Sequence, residues 1–155
     1  MTGRNPTDRG KGGVKRSVLT EAQGIPVGAA LDGANRNDFK LTRQTIDSIP
    51  VERPAPTAAQ PQGMCLDKGY DYAEVRDILK EFGFVAHIRA RGEEAQNIKR
   101  QAGYKARRWV VERTHSWLNR FRGILICWCK KPENYIAMLH FAFAIITYRC
   151  AGLSG

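Results

Sequence analysis

Apolar positions change spacing several times along the chain, and each change predicts an element. Residues 1–13, MTGRNPTDRGKGG, have no apolar period and are rich in Gly, Asn, Asp and Pro, which predicts a loop or an unstructured start. Ser17–Thr20 reads as a short strand, Gln23–Gly24 as a turn and Ile25–Leu31 as a second strand, together a hairpin. From Asp38 the spacing turns helical, with Phe39, Thr42, Ile46 and Ile49 on one face until Pro50 stops it. Residues 50–62 hold four of the seven prolines and read as a surface loop.

The second half alternates in the same way. Met64–Leu66 is a short apolar run ending in Asp67, as a buried strand ends in a carboxylate. Lys68–Gly69–Tyr70 turns the chain, and Asp71 with Glu74 has the spacing of a capping box. Val75, Ile78, Leu79 and Phe82 give a helix that Gly83 closes, and Phe84–Ile88 is the next strand. After a polar, basic connection over 89–105, a long helix is expected over 106–122, with Val110, Trp117, Phe121 and Ile124 as its stripe. Glu112, His115 and Asn119 fall on another face of it. A last, core helix is expected over 133–150. Strands alternating with helices after an opening hairpin indicate an α/β fold, and the helix between 64–67 and 84–88 suits a crossover between parallel strands. The length fits one domain, 1–155.

Composition narrows the function. The longest apolar stretch, 135–148, is shorter than the roughly 20 residues of a spanning helix, so no membrane partner is expected. Cys65, Cys127, Cys129 and Cys150 follow no secretory leader and read as free cytoplasmic thiols. The net charge is +10, and residues 86–122 carry ten basic against three acidic side chains. That block also holds His87, Tyr104, Trp109, His115 and Trp117, and basic residues interleaved with aromatics suit a nucleic acid.

Few residues offer chemistry. Asp67 stands where ligands bind in open α/β sheets, although an Asp before a glycine also makes a turn. Glu112 lies among Arg107, Arg108, Arg113, Arg120 and Arg122. It is either the partner of Arg108 in an i,i+4 ion pair or a metal ligand in a phosphate-binding surface. Cys127–Trp–Cys129 lacks a second pair at zinc spacing, and there is no nucleotide-binding P-loop sequence.

Four segments carry a resemblance. NPTDRGKGGVKRSVLTEAQGIPVGAALDGANRND, CLDKGYDYAEVRDIL, HIRARGEE and YKARRWVVERTHSWLNRFRGILICWCKKPENYIAMLH are similar to bacterial insertion-sequence DDE transposases of the insertion-sequence-five group. The resemblance implies an RNase H-like mixed sheet flanked by helices. Three carboxylates there hold two divalent metals, Mg²⁺ or Mn²⁺, for DNA strand cleavage and transfer. It places the second Asp on Asp67 and the Glu on Glu112. The family's first Asp lies on a strand before the NPTDRGK segment, so that strand and its Asp are expected to be missing here, with Asp8 no substitute. Such transposases are often encoded in two overlapping frames, which makes an upstream-frame portion an expected partner.

The other implied partners are double-stranded DNA at the element's terminal repeats and target, and further copies of the chain. The implied location is the bacterial cytoplasm at the nucleoid. Arg89, Arg91, Arg107, Arg108, Arg113, Arg120 and Arg122 are expected on phosphates, with Lys68, His115 and Asn119 positioning the scissile phosphate or flanking bases. Two further possibilities are a DNA-binding fragment or regulator that does not cut and, with less support, a nuclease for RNA–DNA hybrids.

Overall fold

The computed structural model describes residues 2–6, 9–88 and 108–152. The chain divides into two compact units, one of residues 1–50 and 110–155, the other of 51–109. Both contain strands and helices, so the fold is α/β.

The first unit is built on an antiparallel hairpin, β2 (Gly12–Thr20) and β3 (Pro26–Gly33), with a short β1 (Gly3–Arg4) beside the start of β2. The described residues of the opening segment are therefore more regular than their composition predicts. Gly3 and Arg4 pair with Gly13 and Gly12, and the Asn5 amide donates to the Lys11 carbonyl at 2.8 Å. The Gly10 amide, at φ +71°, donates to the Asn5 carbonyl at 3.1 Å, so this backbone pairing extends to the described residues before β2. For the same reason β2 begins at Gly12, not Ser17.

Strand β3 is buried along nearly its whole length, which accounts for the unbroken apolar run. Ala29 and Leu31 join a core with Leu118, Ile124, Tyr135, Leu139, Ala142, Phe143 and Ile146. At Gly28, helix α1 (Thr42–Asp47) comes so close that an added Cβ would lie 2.7 Å from the Thr45 carbonyl oxygen. The free edge of β3 is sealed locally, where the Ala29 amide donates to Ser48 Oγ at 2.8 Å.

A single tight turn, Asp38–Leu41, precedes α1 and shifts its inward face. Leu41, Thr42, Thr45 and Ile46 are buried there rather than Phe39 and Ile49. The expected long helix also ends sooner. It runs as α3 (Arg108–Leu118), ends in tight turns through Asn119–Phe121, and a short α4 (Arg122–Leu125) follows. Its buried stripe is Val110, Thr114 and Leu118, with Trp117 and Phe121 only partly covered. Helix α5 (Pro132–Cys150) starts with Pro at its first turn and buries Tyr135, Leu139, Ala142, Phe143 and Ile146. It is not buried all round, since Phe141 and Tyr148 on other faces are 70% and 52% exposed.

The second unit pairs β4 (Gln62–Leu66) with β5 (Phe84–Ile88) in parallel, joined through α2 (Ala73–Glu81). Parallel neighbours need such a crossover. Val75 and Leu79 of α2 are wholly buried, and Gly83 at φ +74° closes the helix as expected. The capping box is not made. Tyr72 is the N-cap, and the Asp71 carboxylate instead accepts from Arg76 Nη2 at 2.6 Å. Among the described residues, antiparallel and parallel pairing occur in two separate sheets.

Arg53, in the irregular and exposed proline-rich segment, ties this unit together. Its Nη1 donates to Gln62 Oε1 at 2.7 Å and its Nη2 to the Phe82 carbonyl at 2.6 Å. Its guanidinium lies 4.0 Å from the centre of the Phe84 ring.

Candidate active-site carboxylates and basic face

Asp67 follows directly on β4, at the carboxyl end of a parallel strand, where open sheets bind ligands. Its backbone is extended, and it caps the single turn Lys68–Tyr70 by accepting from the Gly69 amide at 2.8 Å through Oδ1. The turn-forming role is therefore real. It occupies one oxygen, and among the described residues the other takes no hydrogen bond. Asp67 and Lys68 are both exposed.

Glu112 is exposed on α3, in the first unit. The buried side of α3 is held by the β2–β3 turn. Thr114 Oγ1 donates to the Gly24 carbonyl at 2.5 Å, and Arg113 Nη2 donates to the Gln23 carbonyl. The turn has its own brace, because Glu21 accepts the Gln23 and Ile25 amides through one oxygen, each at 2.8 Å. Gly24 sits at φ +87°, and a Cβ there would come 3.0 Å from Arg113 Nη2. The Arg113 guanidinium also lies 4.9 Å from the centre of the Trp117 ring. Arg113 thus fastens α3 to the hairpin.

His115 and Asn119 do come together, around a residue that sequence reading missed. Arg16 on β2 donates through Nη2 to Asn119 Oδ1 at 2.6 Å and through Nη1 to the Ile124 carbonyl at 3.3 Å. With its oxygen so engaged, the Asn119 amide turns its NH₂ donors away from Arg16. His115 is half-buried, and burial first, then the nearby Arg16 charge, pushes its pKa below the ordinary 6.5. The imidazole is therefore neutral at pH 7. Tyr135 donates to the same Ile124 carbonyl at 2.8 Å, and burial raises its phenol above the usual 10. No motif announced Arg16. It is one basic residue in a basic stretch, and only the fold puts it under the end of α3.

Arg120 and Arg122 are exposed beyond that end. Arg120 lines a cleft of about 430 Å³ with Trp117, Phe121, Ile146, Arg149 and Cys150. Arg89, Arg91 and Arg107, with Asp8 and Tyr104, lie outside the described residues, as does the Arg108 side chain. All four cysteines are free. Among the described residues no group of three or more His, Cys, Asp or Glu side chains is gathered as a metal site, and no helix is long and apolar enough to cross a membrane.

Comparison with known proteins decides the family. The transposase DDE domain model matches residues 2–147. The chain belongs to the transposase DDE domain family. It is also 36% identical over 149 residues to a Burkholderia cepacia protein named as a transposase for insertion sequence element IS402. That likeness covers 95% of this chain and 68% of the other protein. No solved structure matches. In this DDE chain the match spans both Asp67 and Glu112, along with Arg16 and Asn119.

Proposed function

We propose that the chain acts in DNA transposition as one RNase H-like catalytic domain, with Asp67 and Glu112 as two of its metal-binding carboxylates. One observation carries this. The DDE match runs through an Asp at the end of a parallel strand and an exposed Glu on a basic helix. Hard carboxylate oxygens suit Mg²⁺ or Mn²⁺, and Asp67 keeps one oxygen clear of its own turn. Bound metal ions supply charge stabilisation at the phosphate and a more acidic water.

The side chains act on the DNA itself. Arg120 and Arg122 hold backbone phosphates, and Lys68 adds a cation beside Asp67. The Asn119 NH₂, oriented by Arg16, donates to a phosphate oxygen, and neutral His115 stays available as a hydrogen-bond donor and acceptor. The DNA is double-stranded, at element ends and target. The chain works as a homo-oligomer on it, completed by the upstream portion of the transposase that carries the third carboxylate.

The test is cleavage and strand transfer on a duplex carrying the element's terminal repeat, with Mg²⁺, by the complete transposase. Residues merely supporting a metal ligand are worth roughly 10- to 100-fold, so Asp67→Asn and Glu112→Gln should each cost at least about 100-fold. DNA affinity should change by less than about threefold, because neither side chain is a phosphate contact. Full activity in either variant refutes the assignment. Salt-dependent DNA binding with no cutting by the wild type favours a non-catalytic DNA-binding product instead.

A further inference from the structure

From the last residue of α4 into the segment that leads to α5, large apolar side chains face outward. Leu125 is 56% exposed, Ile126 53% and Trp128 81%. Single exposed apolar residues are ordinary, but three within four positions, one of them a tryptophan, mark an interaction surface. The loop is anchored at both ends. Ile124 before it is buried, and its carbonyl accepts from both Arg16 and Tyr135. Cys129 packs against the core, and Pro132 opens α5. The indole is therefore held out on a short, tethered stretch, which lowers the ordering cost of using it.

The charge around it selects the partner. From Arg113 to Pro132 there is no acidic residue, while Arg113, Arg120, Arg122, Lys130 and Lys131 are basic. Arg122, Lys130 and Lys131 are exposed. An apolar surface bordered by the exposed cations Arg122, Lys130 and Lys131 fits a polyanion that also offers a flat apolar face. An unpaired DNA base beside its phosphates is such a ligand. In an intact duplex the base faces are already stacked and out of reach of an indole.

We propose that the loop is a DNA-contact site in which Trp128 stacks on an unpaired base while Lys130 and Lys131 hold the flanking phosphates. This rests on the DNA-binding function above and adds to it a site for unstacked DNA.

Two labelled probes of the same sequence test it with the whole chain, one a blunt duplex, the other with a short single-stranded tail. Trp128→Ala should weaken binding to the tailed probe about tenfold and leave the blunt duplex within about twofold. Trp128→Phe should recover most of the loss. Lys130→Gln with Lys131→Gln should weaken both probes. Wild-type indole fluorescence should be quenched by the tailed probe, and this should vanish in Trp128→Ala although Trp109 and Trp117 remain. An unchanged melting temperature, expected for so exposed a side chain, shows that the variant is folded.

Equal binding of the tailed probe by Trp128→Ala and wild type, with the blunt duplex still bound, overturns this site alone. If the wild type binds neither probe, the DNA-binding function falls with it. Trp128-dependent dimerisation, or Trp128-dependent retention on phosphatidylserine vesicles, with DNA affinity unmoved by the substitution, overturns it in favour of a second copy or a membrane surface.

Discussion

His115 is a half-buried imidazole in a strongly basic neighbourhood, and both facts disfavour its charged form. Above its ordinary pKa of 6.5 it is neutral in folded and unfolded chains alike. Below that value the unfolded chain takes up a proton that the folded chain resists. Its contribution to stability is therefore lost as pH falls from 6.5 through the lowered folded pKa, and levels off beneath it. Urea midpoints at about pH 7.5 and pH 5.5 should show a smaller acid loss in His115→Gln than in wild type. An identical loss would mean that His115 does not titrate differently on folding. The helical spacing of His115 and Asn119 was visible in the sequence. Their shared partner was not, because Arg16 lies about a hundred residues earlier and reaches them only once β2 is laid down.

Among the elements, the clearest differences between pattern and structure come from polar residues used as core. The stripe of α3 runs through Thr114, which apolar counting passes over. Its hydroxyl tolerates complete burial because it donates a hydrogen bond to the Gly24 carbonyl. In the second unit the same logic applies to Arg53, which stands in a segment whose prolines advertise a simple loop. It donates two charge-assisted hydrogen bonds and covers an aromatic face. Arg53→Ala should destabilise by about 1–3 kcal/mol. Hydrogen exchange should locate the loss at 62–66 and 82–88. Arg53→Lys should recover little, since an ammonium cannot reproduce the two-pronged geometry. Unchanged protection there would show that the clamp carries no net stability.

For the molecule as a whole, the net charge of +10 is the dominant long-range property. Phosphate contacts release counterions, so the logarithm of DNA affinity should fall steeply and linearly with the logarithm of salt concentration. Arg120→Gln and Arg122→Gln should each reduce that slope by about one if each holds one phosphate. A slope that neither substitution moves would remove these residues from the interface. The charge balance was plain from composition, but it says nothing of which cations face DNA. Arg113 is as basic as Arg120, yet the fold fastens it to the hairpin turn at Gln23.

Local chemistry was legible in the one-dimensional pattern. Apolar spacing marked the β2–β3 hairpin, the β4–α2–β5 crossover with Gly83 as its stop, and the placing of Asp67 at a strand end and Glu112 on a helix. Such features depend on neighbours within a few residues, whose spacing the chain preserves. What required three dimensions was pairing at long range. Arg16 beneath Asn119, Thr114 on the Gly24 carbonyl and Arg53 on the Phe82 carbonyl are contacts between segments far apart in sequence. Their energies come from surfaces that exist only after the strands and helices have packed.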